Sequence, residues 1–289
     1  MRFKIRRNIK FIIAMAIVIT VSPSVFDFVG FGRSGSDSID AIEDQHIEYM
    51  PYMDRGMTSR GTVRTRTAMD MVRATYIFAK IAEDSPYYDS HSMNKEQIGS
   101  FSKDQVVEVI KDRGRESYLV KAGDGSEGWI PAENLIIPDD PETNAEWMSK
   151  RQVEEFINNS ELTSQTSQLI WVDIDRQLTH VLLNEDDTWK HYRTMLSATG
   201  ANKSPTVKGV FEIQERGEEF YSDRLKSGAK NWVRFDGPYL FHSLSMDKDG
   251  NITDYTLGKR ASDGCIRLSM EDSKWFYDNI EEGSTVFIN

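Results

Sequence analysis

One cysteine is all that 289 residues contain. A single thiol closes no internal disulfide, so the fold stands without covalent staples. No segment has the glycine spacing of a phosphate loop or a dinucleotide-binding turn, and no His, Cys and carboxylate set has metal-ligand spacing. Neither a cofactor nor a metal is therefore expected. Excess positive charge is also missing: the formal net charge is −11, which argues against nucleic acid, whose binders carry basic faces. Any hold on an anionic polymer must then be local and stereochemical.

What is present begins with Arg2, Lys4, Arg6, Arg7 and Lys10, followed by an apolar run from Phe11 to Val21. This is the pattern of an export segment. The run falls short of the roughly 20 residues of a membrane span, although Val25 to Phe31 extends it. Residues 1–31 are expected to act as a signal peptide or as an N-terminal membrane anchor with its basic end inside, placing the rest outside the cytoplasm, in the wall or on the outer face of the membrane. In an exported protein, a leftover cysteine points to an intermolecular bridge or a reactive thiol.

Residues 32–67 are polar and aperiodic, as in a linker. Residues 68–138 read as short strands and turns, with β-rich runs at 105–110 and 117–121 bounded by Asp112-Arg113-Gly114 and Gly123-Asp124-Gly125. Over 139–166 the spacing of Trp147, Val153, Phe156 and Ile157 predicts a helical linker, with acids at 139, 140 and 142 near its start. From 167 to 289 strand patterns return, first as a hairpin over 168–174 and 178–183 with half-buried alternation. A helix is predicted from Met270 to about Ile280, and a last strand at Thr285 to Ile288 closes the sheet.

The cysteine lies in Ala261-Ser262-Asp263-Gly264-Cys265-Ile266-Arg267-Leu268. A thiolate nucleophile needs a base or a cation nearby to bring down a thiol pKa of about 8.5. His242, in Tyr239-Leu240-Phe241-His242-Ser243, is the candidate base. Gly264 leaves space beside the sulfur, so the N–H groups of Gly264 and Cys265 can face a developing oxyanion. Arg267 shares a strand face with Cys265 if the segment is extended, where it favours the thiolate or forks onto a carboxylate. The same residue types also suit a buried thiol and a structural histidine.

The order of the parts resembles one family. The run from Phe241-His242-Ser243 through Leu257-Gly258 to Ala261–Leu268, with Leu196-Ser197-Ala198-Thr199-Gly200 and Ser204-Pro205-Thr206-Val207-Lys208-Gly209-Val210-Phe211 upstream, is similar to the active-site block of the YkuD-type L,D-transpeptidases. The resemblance implies a mainly β fold and a peptidoglycan stem-peptide substrate. It further implies acyl transfer through Cys265, with His242 as base oriented by the Ser243 carbonyl, the Gly264 N–H as oxyanion donor, and Ser262, Asp263 and Arg267 lining the substrate. Many members carry His or Lys where Asp263 stands; a carboxylate aimed at the sulfur would oppose thiolate formation. Gly128-Trp129-Ile130-Pro131 resembles the closing run of bacterial SH3-like domains, which implies a small β-barrel over 68–138. Tyr87, Tyr88 and Trp129 are its candidates for wall binding, a positional spacer being the alternative.

Three readings stay open on the sequence alone. They are a cross-linking L,D-transpeptidase, an L,D-carboxypeptidase with water as acceptor, and a wall-binding protein with a degenerate site.

Overall fold

Between Phe78 and Pro131, strands with one buried face follow one another, so the sheet they form has to fold over its own apolar side. The computed structural model describes residues 66–289. The export segment expected over 1–31, and all but the last two residues of the linker expected over 32–67, lie outside the described residues. Antiparallel strands β1 (Phe78–Ile81), β2 (Ser85–Tyr88), β3 (Gln97–Phe101), β4 (Val106–Arg113), β5 (Ser117–Ala122), β6 (Glu127–Pro131) and β7 (Leu135–Ile136) form one sheet in the order β3-β2-β6-β5-β4-β1-β7. It encloses Ile77, Ala79, Ile81, Phe101, Val107, Val109, Val120 and Ile130.

Tyr87 stacks on Phe101 at 4.3 Å between centroids and belongs to that core. Tyr88 and Trp129 face each other across β2 and β6, both half-buried, with Lys95 over the Tyr88 ring. The barrel does not begin at residue 68 as expected. α1 (Ala68–Met71) places Ala68 and Met71 against Met148, Val153 and Phe156, in a different core.

The helix expected from 139 is shorter. α2 (Lys150–Asn158) starts at Ser149, whose hydroxyl accepts from the Gln152 N–H in a capping box. Asp140, read as a helix-start acid, instead accepts the Asn202 N–H at 2.5 Å. Between Pro141 and the cap at Ser149 the chain has no regular secondary structure.

The rest is a two-sheet sandwich. β8 (Gln168–Asp173), β9 (Leu178–Glu185), β10 (Thr188–Leu196) and β11 (Gly209–Glu212) belong to one sheet, and β12 (Arg216–Ser222), β13 (Ser227–Asp236), β14 (Tyr239–His242), β15 (Ser245–Met246), β16 (Ile252–Asp254) and β17 (Ile266–Arg267) to the other. α3 (Met270–Asn279) and β18 (Thr285–Ile288) complete the chain's order of elements. The first sheet runs β10-β9-β8-β18-β11, so β18 does not close an edge: it lies parallel to β8 in the interior of the sheet.

Ile170, Val172, Val181 and Val286 meet Val233, Phe235 and Phe241 between the sheets. On the opposite face, Leu169, Trp171 and Leu182 are covered by Phe156 and Ile157 of α2. Both faces of the 168–183 hairpin are thus buried, where half-burial was expected. A strand covered on both sides reads as a continuous apolar run. Among the described residues no helix is long and apolar enough to cross a membrane.

Candidate active site

A parallel pairing brings the two sequence motifs together. Phe241 is opposite Ile266 and His242 opposite Arg267 on β14 and β17. Phe241 and Ile266 point into the sandwich core, so by strand alternation Cys265, Arg267 and His242 face the other way. All three line one cavity of about 670 Å³.

His242 is buried, and its Nδ1 lies 2.6 Å from the Ser243 carbonyl oxygen. A carbonyl only accepts, so the ring hydrogen is on Nδ1 and the Nε2 lone pair is free to take a proton. Burial holds the imidazole down to about 4, against the Ser243 hydrogen bond, with Arg267 pushing the same way as burial. Phe220 meets the imidazole edge-to-face at 5.6 Å.

Cys265 is half-buried, its Sγ 3.7 Å from the Pro238 carbonyl. Burial pushes the thiol up to about 11; the Leu240 N–H, Arg267 and Arg234 pull it down, and Asp263 adds to the rise. At rest the site therefore holds a neutral thiol and a neutral imidazole, not an ion pair.

The turn before the sulfur is built from within. Ser262, expected at the substrate, is buried; its hydroxyl donates to the Cys265 carbonyl and accepts the Gly264 N–H at 3.2 Å. The Gly264 amide, expected to face an oxyanion, is therefore engaged in the turn. Gly264 has φ +97°, and a Cβ there would lie 2.6 Å from the Tyr239 ring. Its missing side chain makes room for Tyr239. Gly264→Ala is accordingly expected to cost about 2–4 kcal/mol from backbone strain and overpacking, read as a lowered melting temperature. A melting temperature equal to that of the unsubstituted protein would contradict this reading.

Thr206 explains the upstream motif. Its hydroxyl accepts the Gly200 N–H and donates to the Gly264 carbonyl, each at 2.8 Å. Ala198 and Gly200 form bridges to Arg267 and Ser262, so the segment 198–206 backs the cysteine turn.

Two charged residues have partners that the sequence did not reveal. Arg267 is buried and ion-paired with Asp254, from β16 of the insert between His242 and Cys265. That carboxylate occupies one edge of the fork expected to hold substrate. The insert is a hairpin whose tip is organised by Asp247, which accepts the N–H groups of Asp249 and Asn251. Asp263 does not stand alone beside the sulfur: its carboxylate is ion-paired with Arg115, from the β4–β5 turn of the upstream barrel.

His180 and His191 lie on the first sheet, where both rings bond the Thr194 hydroxyl. Among the described residues no group of His, Cys, Asp and Glu is arranged to hold a metal.

The model of the YkuD L,D-transpeptidase catalytic domain matches residues 167–288, and that of the variant SH3 domain matches 94–137. A Bacillus subtilis (strain 168) protein named "Putative L,D-transpeptidase YciB" is 36% identical over 129 residues, which span 42% of this chain and 66% of that protein. Among solved structures, a fused Zn-dependent amidase/peptidase/peptidoglycan-binding domain-containing protein from Clostridium acetobutylicum ATCC 824 is 30% identical, with a TM-score of 0.42, 48% of this chain and 59% of the other being covered. An L,D-transpeptidase from Stackebrandtia nassauensis is 20% identical, with a TM-score of 0.34 and coverages of 49% and 67%. With its motifs gathered on one cavity and a family model matching that same span, the chain carries over residues 167–288 a YkuD-family L,D-transpeptidase catalytic domain, preceded by a variant SH3 domain.

Proposed function

We propose that this is an exported cysteine acyltransferase that cross-links peptidoglycan. The acyl donor is a stem tetrapeptide. As Sγ attacks the carbonyl of the residue before the terminal D-alanine, His242 Nε2 takes the thiol proton and a C–S bond forms. The Cys265 N–H, with the Gly264 amide engaged in its turn, is the amide assigned to the oxyanion. Collapse breaks the C–N bond, and the imidazolium protonates the departing D-alanine amine. The thioester is then attacked by the side-chain amine of a second stem, which restores the thiol.

The observation that carries this reading is the His242 tautomer, fixed by the Ser243 carbonyl, with its free nitrogen in the cavity that holds the chain's single thiol. Against a degenerate site stands the pairing of Asp263 with Arg115, which draws the carboxylate into an ion pair. Wall binding by the half-buried Tyr88 and Trp129, and a location at the wall or outer membrane face, belong to the same proposal.

The test is product analysis after incubation with stem tetrapeptide, with and without a second stem carrying a free side-chain amine. A cross-linked dimer with loss of D-alanine is expected. Tripeptide alone in both reactions would replace cross-linking by carboxypeptidase activity; no product and no covalent adduct would replace it by wall binding.

A further inference from the structure

One wall of the cavity around Cys265 comes from the other domain. Arg113 at the end of β4 and Gly114 and Arg115 of the β4–β5 turn line it, together with Ser222 and Arg224 of the β12–β13 hairpin. The turn is fastened to the catalytic domain. The Ser204 hydroxyl donates to Asp112 Oδ1, and the Arg115 N–H to Asp112 Oδ2, each at 2.8 Å. The Tyr118 hydroxyl donates to the Lys203 carbonyl at 2.8 Å, and Lys208 pairs with Glu108 at 2.9 Å. Residues 203–208 also contain Thr206, which holds the cysteine turn. The barrel thus grips the loop that builds the site.

The β4–β5 turn and the β12–β13 hairpin approach each other at Gly114 and Arg224. A Cβ on Gly114 would come 3.5 Å from the Arg224 guanidinium. Arg115 has Asp263, Arg234 has Glu215 and Arg267 has Asp254. Arg113 and Arg224 have no ion-pair partner among the described residues, although acidic residues outnumber basic ones in this chain. Both are exposed arginines that line the same cavity, and the planar fork of a guanidinium matches a carboxylate.

We infer that Arg113 of the SH3-like domain and Arg224 of the catalytic domain form a carboxylate-binding site in the active-site cavity, so that the upstream domain selects stem peptides by a free carboxylate. The inference rests on the acyl-transfer reading for the identity of the peptide. It assigns the SH3-like domain a part in substrate selection that neither a spacer nor a remote wall anchor would have.

The experiment measures binding of a stem tetrapeptide, and of analogues amidated at one carboxylate at a time, to the full chain carrying Cys265→Ala. The same titrations are repeated with Arg113→Gln and Arg224→Gln added, and wild-type adduct formation with the tetrapeptide is recorded by intact mass. Amidation at one position is expected to weaken binding about tenfold with both arginines present, and no more than about twofold with both replaced, since charge-assisted bidentate pairs are the strong ones. Equal binding of all analogues, or an amidation penalty that survives both substitutions, overturns the inference. So does the absence of measurable peptide binding. If wild type still forms its adduct in those cases, the acyl-transfer reading stands alone. If the arginine-dependent discrimination is found but no adduct forms, the carboxylate site stands and acyl transfer falls.

Discussion

Full-length protein with Cys265→Ala is expected to gain no mass on incubation with a stem tetrapeptide or a carbapenem, while the unsubstituted protein gains one acyl group. The effect is absolute because the chain has no second thiol. Fold is expected to survive the change, since the sulfur is half-buried and its hydrogen bond, to the Pro238 carbonyl at 3.7 Å, is weak. Intact-mass measurement decides the matter. An adduct retained at another residue in the alanine variant would remove Cys265 from the mechanism.

His242→Ala is expected to slow acylation by 10² or more, with its origin visible in the pH profile. A thiol held near 11 is ionised at pH 7 only to the order of 10⁻⁴, so a base must remove the proton as the bond forms. The imidazole does this wherever it is neutral, and burial keeps it neutral down to about pH 4. For the unsubstituted protein, kcat/KM should be level from about pH 5 into the alkaline range. It should fall below about pH 4, where the charged ring accepts no proton.

Without the imidazole, the rate must follow the thiolate fraction. It should then rise about tenfold per pH unit towards 11, closing the gap to the unsubstituted protein. Stopped-flow or mass-resolved acylation across pH separates the cases, and a variant profile parallel to the original would show that His242 supports the fold rather than moves the proton.

How much of this was written in the sequence depends on how local each cause is. The hairpin at 168–183, the helix at 270 and the strand at 285 were legible as elements because β-rich and helical runs are local, but the burial of both hairpin faces and the interior place of the last strand depend on distant partners. So was the convergence of Cys265 and His242, because several motifs in one order leave few ways to assemble them. Asp254 was not legible. It lies in a hairpin of ordinary turn residues, and only the β15–β16 pairing sets it under Arg267. Arg115 was hidden more deeply, since its partner Asp263 lies in another domain. Read alone, Asp263 looked like a charge set against the thiolate. Acids at 139–142 suit a helix start, but the capping box at Ser149 satisfies the first N–H groups and sets the start there. That the Ser262 hydroxyl folds back to accept the Gly264 N–H is a feature of the turn's three-dimensional path and leaves no local sequence signal.

The position of β18 bears on the order in which the domain assembles. β8, β9 and β10 can pair as soon as they exist, each with its neighbour in the chain. The meander they form has β8 at its open edge, with apolar side chains on both faces and a row of unpaired backbone groups. Leu169 finds Thr285 only after almost the whole catalytic domain has been traversed. A parallel contact of such span is slow to close, and the half-made sheet stays adhesive while it waits. Refolding should therefore be limited by the docking of Thr285–Ile288, and loss of that strand would open the middle of the sheet rather than trim its rim.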